Sequence, residues 1–149
     1  MRKLAALLLL LAACDGSGGG PAAPPSPPSK PEPAQITVRH ILISFKGTRT
    51  KATRTKEEAK GLAGQLLEIV NKGEDFAALM RAHSDDNGPG VYTMINTGQS
   101  GSAPGAYPRG KMARAFGDVG FKLEVKGIGM AEHDPVTSPF GWHIIQRIE

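Results

Sequence analysis

Gly141-Trp142-His143-Ile144-Ile145-Gln146-Arg147-Ile148 is an apolar run broken by a single imidazole. Its tryptophan and isoleucines mark a strand over 142–148. Val38-Arg39-His40-Ile41-Leu42-Ile43 repeats the pattern at the other end of the foldable sequence, inside a strand read over 36–45. An imidazole buried among such neighbours needs a polar partner, because an unpaired polar group is costly away from water. The two runs therefore read as strands of one sheet whose histidines meet in its middle. That polar patch is the place to look for function.

Between the runs the pattern turns helical. Thr55-Lys56-Glu57-Glu58 has capping-box spacing, and Ala59, Leu62, Ala63, Leu66, Leu67 and Val70 follow on one helical face as far as Lys72. Gly73 is a stop. A shorter helix covers 75–83, with Phe76, Leu79 and Met80 inward, and Ser84-Asp85-Asp86-Asn87-Gly88-Pro89-Gly90 is a turn. Residues 91–106 are rich in glycine and small polar groups, with one strand at 91–95. A third helix is expected over 112–118, with Met112, Ala115 and Phe116 inward, then a strand over 127–130. This order implies an α+β domain with helices against an antiparallel or mixed sheet.

The remaining sequence reads as delivery and tether. Met1-Arg2-Lys3 is basic, Leu4 to Leu11 is apolar but too short to span a bilayer, and Leu11-Ala12-Ala13-Cys14 resembles a bacterial lipobox. Residues 1–13 are thus expected to be a lipoprotein signal peptide, with Cys14 the site of lipid attachment; the alternative is an ordinary export signal. Asp15 leaves inner and outer membrane both open. Residues 14–34 combine Gly18-Gly19-Gly20 with Pro24-Pro25 and Pro27-Pro28, a tether partly flexible and partly extended. Residues 35–149 suffice for one small domain. Cys14 is the only cysteine, which excludes an internal disulfide and a cysteine-based metal cluster. The formal charge is +4, and Arg49, Lys51, Arg54 and Lys56 form the one local basic cluster. On an exported chain that cluster reads as a solvated loop rather than a nucleic-acid surface.

Taken in order, the pieces resemble the parvulin-type peptidyl-prolyl cis/trans isomerases. They are His40-Ile41-Leu42-Ile43, Phe76-Ala77-Ala78-Leu79, His83-Ser84-Asp85-Asp86, Arg109-Gly110-Lys111-Met112, Phe116, Phe121-Lys122-Leu123, Pro135-Val136 and Gly141-Trp142-His143-Ile144-Ile145. The resemblance implies a four-stranded antiparallel sheet surrounded by short helices. It places His40 and His143 as the paired histidines and Asp86 beside the bound imide bond. Met112 and Phe116 become floor and wall of a proline pocket bordered by Phe140. Ser138 matches a hydroxyl that can enter the histidine network. Many members carry Gly-Gly-Asp-Leu-Gly before the pocket methionine; here the stretch reads Ser102-Ala103-Pro104-Gly105-Ala106-Tyr107-Pro108. The wall leucine is missing, and Tyr107 is expected at an aromatic position there.

The implied activity is non-covalent isomerisation of X-Pro bonds in exported, partly folded proteins. It needs no cofactor and no metal, and a monomer held by lipid at the cell envelope would suffice. The competing reading is a catalytically weak domain that binds extended polypeptide as a chaperone or assembly factor. His40 and His143 are assigned as a hydrogen-bonded pair that shapes the site. Asp86 can act as an anion near the carbonyl or, protonated, as a donor. His83 reads as a helix-end residue and His133 as a loop residue; the four histidines lack metal-ligand spacing.

Overall fold

The computed structural model describes residues 30–100 and 103–149, so the signal-like segment, Cys14 and most of the tether lie outside the described residues. Pro31 to Glu149 form one compact unit. It begins before the expected Gln35 because the sequence just ahead is tied down. The Asn96 amide N–H donates to the Ala34 carbonyl, and the Arg109 guanidinium donates to Glu32.

The elements run β1 (Gln35–Ile43), α1 (Lys56–Asn71), α2 (Phe76–His83), β2 (Val91–Ile95), β3 (Tyr107–Pro108), a 3₁₀ turn (Arg109–Lys111), α3 (Arg114–Lys122), β4 (Ile128–Ala131) and β5 (Trp142–Arg147). They build a five-stranded sheet in the order β3-β2-β1-β5-β4. Every pairing is antiparallel except β2 with β3. The fold is therefore the expected α+β arrangement with one additional strand. β3 has two residues, one of them proline, so it offers no periodicity to read and sits at the edge, where a missing N–H does least harm.

β1 lies at the centre and is covered on both faces. Ile36 and Val38, with Met94 and Ile145, meet Phe116 and Phe121 of α3. Ile41 and Ile43, with Trp142 and Ile144, meet Ala59, Ala63, Leu66 and Val70 of α1 and Phe76 of α2. A strand covered twice has no polar side to alternate with, which is why its sequence is a nearly unbroken apolar run. Each large side chain buried there contributes about 1.5–3 kcal/mol.

The Thr55 cap and the reciprocal Glu58 bond of α1 are both present, and Gly73 follows the helix with φ +97°. The third helix departs from expectation. Met112 is extended and α3 starts only at Arg114. Two inward positions of α3 are Gly117 and Gly120, which carry no hydrophobic signal. Gly120 is where the helix closes on the sheet: a Cβ there would stand 3.3 Å from both Ile36 and Met94.

Candidate active site

The register of β1 and β5 sets the centre of the site. His143 lies opposite Leu42 and His40 opposite Ile145, so both imidazoles emerge on the α3 face. Their rings stack at 20° with centroids 5.2 Å apart, and Nδ1 faces Nδ1 at 3.1 Å. Phe116 meets both rings edge-on, at 5.0 and 5.3 Å.

Asp86 reaches the pair because the chain after α2 docks along β1 where β2 stops. The Asp85 N–H donates to the Leu42 carbonyl, the Leu42 N–H to Ser84 Oγ and the Ser44 N–H to Asp85 Oδ2. Arg54 clamps Asp85 from outside. Held this way, Asp86 places Oδ2 2.9 Å from His40 Nε2. The Tyr92 hydroxyl donates to the same oxygen at 2.8 Å, and the Gly88 N–H donates to Oδ1 at 3.0 Å.

These contacts fix the protons. An ionised carboxylate only accepts, so His40 Nε2 carries the hydrogen and its Nδ1 is bare in the neutral ring. His143 Nδ1 must then donate to His40. His143 Nε2 is left as a lone pair, and it is buried without a hydrogen-bond partner among the described residues.

Above the pair opens a hollow of about 280 Å³. Leu42, Met112, Ala113, Phe116 and Phe140 supply its apolar lining; His40, His143, Asp86 and Tyr92 supply the polar part. Arg49, Thr50 and Lys111 stand around it. The 3₁₀ turn that carries Met112 is pinned by Arg109, which donates to Asp118 on α3, to Asn96 and to Glu32, and lies over the Phe121 ring.

Residues 28–149 match the family model described as the PPIC-type PPIASE domain. The chain belongs to this peptidyl-prolyl isomerase family. Chaperone SurA of Chromohalobacter salexigens is 34% identical over 110 residues, covering 73% of this chain and 21% of that protein. Foldase protein PrsA 4 of Bacillus cereus is 33% identical over 112 residues, covering 75% of this chain and 31% of that protein. The chain thus spans between a fifth and a third of the length of these two relatives. The fold resembles that of peptidyl-prolyl isomerase ESS1 from Candida albicans, with a TM-score of 0.58 and 22% identity over 78% of this chain and 63% of that one.

In this parvulin-type domain the hollow gathers His40, Asp86, His143, Met112, Phe116 and Phe140. It does not gather Ser138 or Tyr107. Ser138 is fully buried, but its Oγ donates to the Gly141 carbonyl at 2.9 Å, because the tight turn before β5 presents that oxygen locally. The expected hydroxyl link to the histidines is replaced by this turn bond. Tyr107 stands on the edge strand, 43% exposed, with its ring against that of Tyr92. Tyr92, one strand further in, is the aromatic residue that lines the hollow. Alternation along β2 puts Tyr92 with the buried Met94, a signal available in the sequence once that strand is paired with β1. His133 packs against Phe45 and Trp142, away from the pair.

The parvulin-type site is electrostatically asymmetric. The hydrogen bond from His40 holds the Asp86 carboxyl far below the usual carboxylate range, against the opposing effect of burial. Burial, followed by the electrostatic influence of the adjacent His40, pushes His143 down to about 3. Both groups titrate lower folded than unfolded, so their contribution to stability is complete above the unfolded values and is lost as pH falls. For His143 the loss begins near its ordinary value of 6.5 and runs towards 3. Urea unfolding at pH 7 and pH 4.5 is expected to differ by about 2 kcal/mol through this residue. His143→Leu should flatten that interval; an unchanged slope would exclude the burial account.

Proposed function

We propose that this domain catalyses cis/trans isomerisation of X-Pro bonds in exported, partly folded polypeptides, held at the cell envelope by lipid on Cys14. The observation that carries the reading is an ionised carboxylate, Asp86, in the wall of an apolar hollow floored by Met112 and Phe116. Rotation about a peptide bond faces a barrier of about 18–20 kcal/mol because resonance keeps it planar. Catalysis requires only that the twisted state be favoured over the planar one.

The planar amide carries negative charge on its carbonyl oxygen; the twisted amide carries less. With the pyrrolidine ring seated on Met112 and Phe116, Asp86 repels the charge-rich planar form. Exclusion of water by Phe140 and Phe116 removes the solvent that would otherwise stabilise it. His40 and His143 hold the carboxylate's orientation and make no covalent bond to substrate. The same seat would serve a binder of extended chains, so turnover is the quantity to measure.

Arg49 and Lys111 make no ion pair with another described residue, whereas Asp85 is paired with Arg54 and Asp86 with His40. The free charge around the hollow is therefore positive. In a tetrapeptide assay the wild-type domain is expected to isomerise Glu-Pro faster than Lys-Pro by about fivefold, the scale of one exposed ion pair. Neutralising both cations should erase the preference, as should high salt. Peptide binding with no turnover on either sequence would replace the isomerase reading with the binding one.

A further inference from the structure

We propose that Tyr92 is a positioning residue of this site, its hydroxyl fixing the Asp86 carboxylate while its ring walls the hollow. The role in turnover rests on the isomerase reading above; the geometry does not. Tyr92 sits on β2 opposite Val38, with its ring edge-on to His40 at 5.5 Å and to Phe116 at 6.2 Å. Its hydroxyl donates to Oδ2 of Asp86, the oxygen that also accepts from His40. One oxygen is thereby held from two strands, which sets the rotation of the carboxylate as well as its position. Tyr107 covers the outer edge of the ring at 5.6 Å.

The turn after Asp86 supplies an independent observation. A Cβ on Gly88 would lie 2.2 Å from the Tyr92 hydroxyl oxygen and 3.3 Å from both Asp86 oxygens. Gly88 is not among the positive-φ residues, so its backbone does not require glycine. What requires glycine is the space the phenol occupies. The turn is built around the hydroxyl, and the Gly88 N–H completes the cradle by donating to Oδ1.

The groups facing Asp86 are His40 from β1, Tyr92 from β2 and the Gly88 amide of its own turn. His143 on β5 lies one hydrogen bond further on, Arg54 is engaged by Asp85, and Arg49 and Lys111 stand around the hollow. Removing the phenol hydroxyl takes away a donor to the anion, so the carboxyl must titrate higher.

The test compares Tyr92→Phe, Gly88→Ala and the double variant by kcat/KM against pH and by ¹³C titration of the Asp86 carboxyl. Tyr92→Phe is expected to lower kcat/KM by about tenfold, the scale of one hydrogen bond to a charged group. It should also move both the acid limb and the carboxyl titration to higher pH. Gly88→Ala should act in the same direction by displacing the hydroxyl. The double variant should be no worse than Tyr92→Phe, because phenylalanine lacks the atom the new methyl meets. Wild-type titration and turnover in Tyr92→Phe, or losses that multiply in the double variant, would overturn the inference. A wild-type protein without turnover would instead remove the isomerase reading, and the carboxyl titration would still decide whether Tyr92 holds Asp86.

Discussion

Asp86→Ala is expected to lower kcat/KM for an X-Pro peptide by about 100-fold or more, the scale of losing one preorganised electrostatic group. The substitution removes the carboxylate that faces His40, while Asp85 of the same turn stays engaged by Arg54, and it leaves His40 Nε2–H and the Tyr92 hydroxyl without their acceptor. Because Asp86 stands in the wall of an open hollow, water can take the place of the carboxylate, and the domain should stay folded by circular dichroism. Asp86→Asn separates charge from shape. It keeps the size and one accepting oxygen but is neutral, so its activity should fall nearly as far as that of the alanine variant. An asparagine variant with close to wild-type turnover would refute the proposed repulsion of the planar amide.

Gly141→Ala is expected to act on the fold instead. Gly141 has φ +140°, where side chains are rarely tolerated, and a Cβ there would lie 2.2 Å from the Ile43 carbonyl oxygen. The clash is with backbone, so no rotamer relieves it. Gly141 immediately precedes Trp142 and His143, and its carbonyl accepts the Ser138 hydroxyl. Relief would require β5 to move off β1, dismantling the histidine pair and both core layers. The expected cost is about 4 kcal/mol, from strain and lost packing together. In thermal unfolding that is a drop in Tm of about 10–20 °C. A change of only a degree or two would show that the turn before β5 can accommodate a side chain after all.

The parts of this domain that could be read from sequence are those where chemistry and periodicity disagree. His40 and His143 stand out because β1 and β5 are buried on both faces, leaving apolar runs in which an imidazole is conspicuous. The capping box of α1 was legible for a related reason, since Thr55 and Glu58 act within four residues of one another. Where partners are chosen by tertiary packing, residue type misleads. Ser138 has the right hydroxyl, but a carbonyl three residues away claims it. Tyr107 has the right ring, but the alignment of β2 with β1 brings Tyr92 to the hollow and leaves Tyr107 at the margin. The run of α3 past Asp118 is obscured by Gly120, which lets the helix approach the sheet, and its start by the 3₁₀ turn that leaves Met112 extended. The resemblance to the parvulins supplied the position of Asp86, which local sequence shows only as a turn residue.

The pairing of β1 with β5 has a consequence for how the protein comes into being. Its two imidazoles are separated by 103 positions in the chain yet occupy adjacent central strands. Closing so long a loop is entropically unfavourable until the contacts at its ends form, and such non-local pairings are slow. A nascent chain that has not yet delivered Trp142 lacks the second imidazole, half of the central ladder and the floor beneath Phe116. The assembled site therefore arrives with β5, and a polypeptide truncated before Trp142 cannot form the histidine pair.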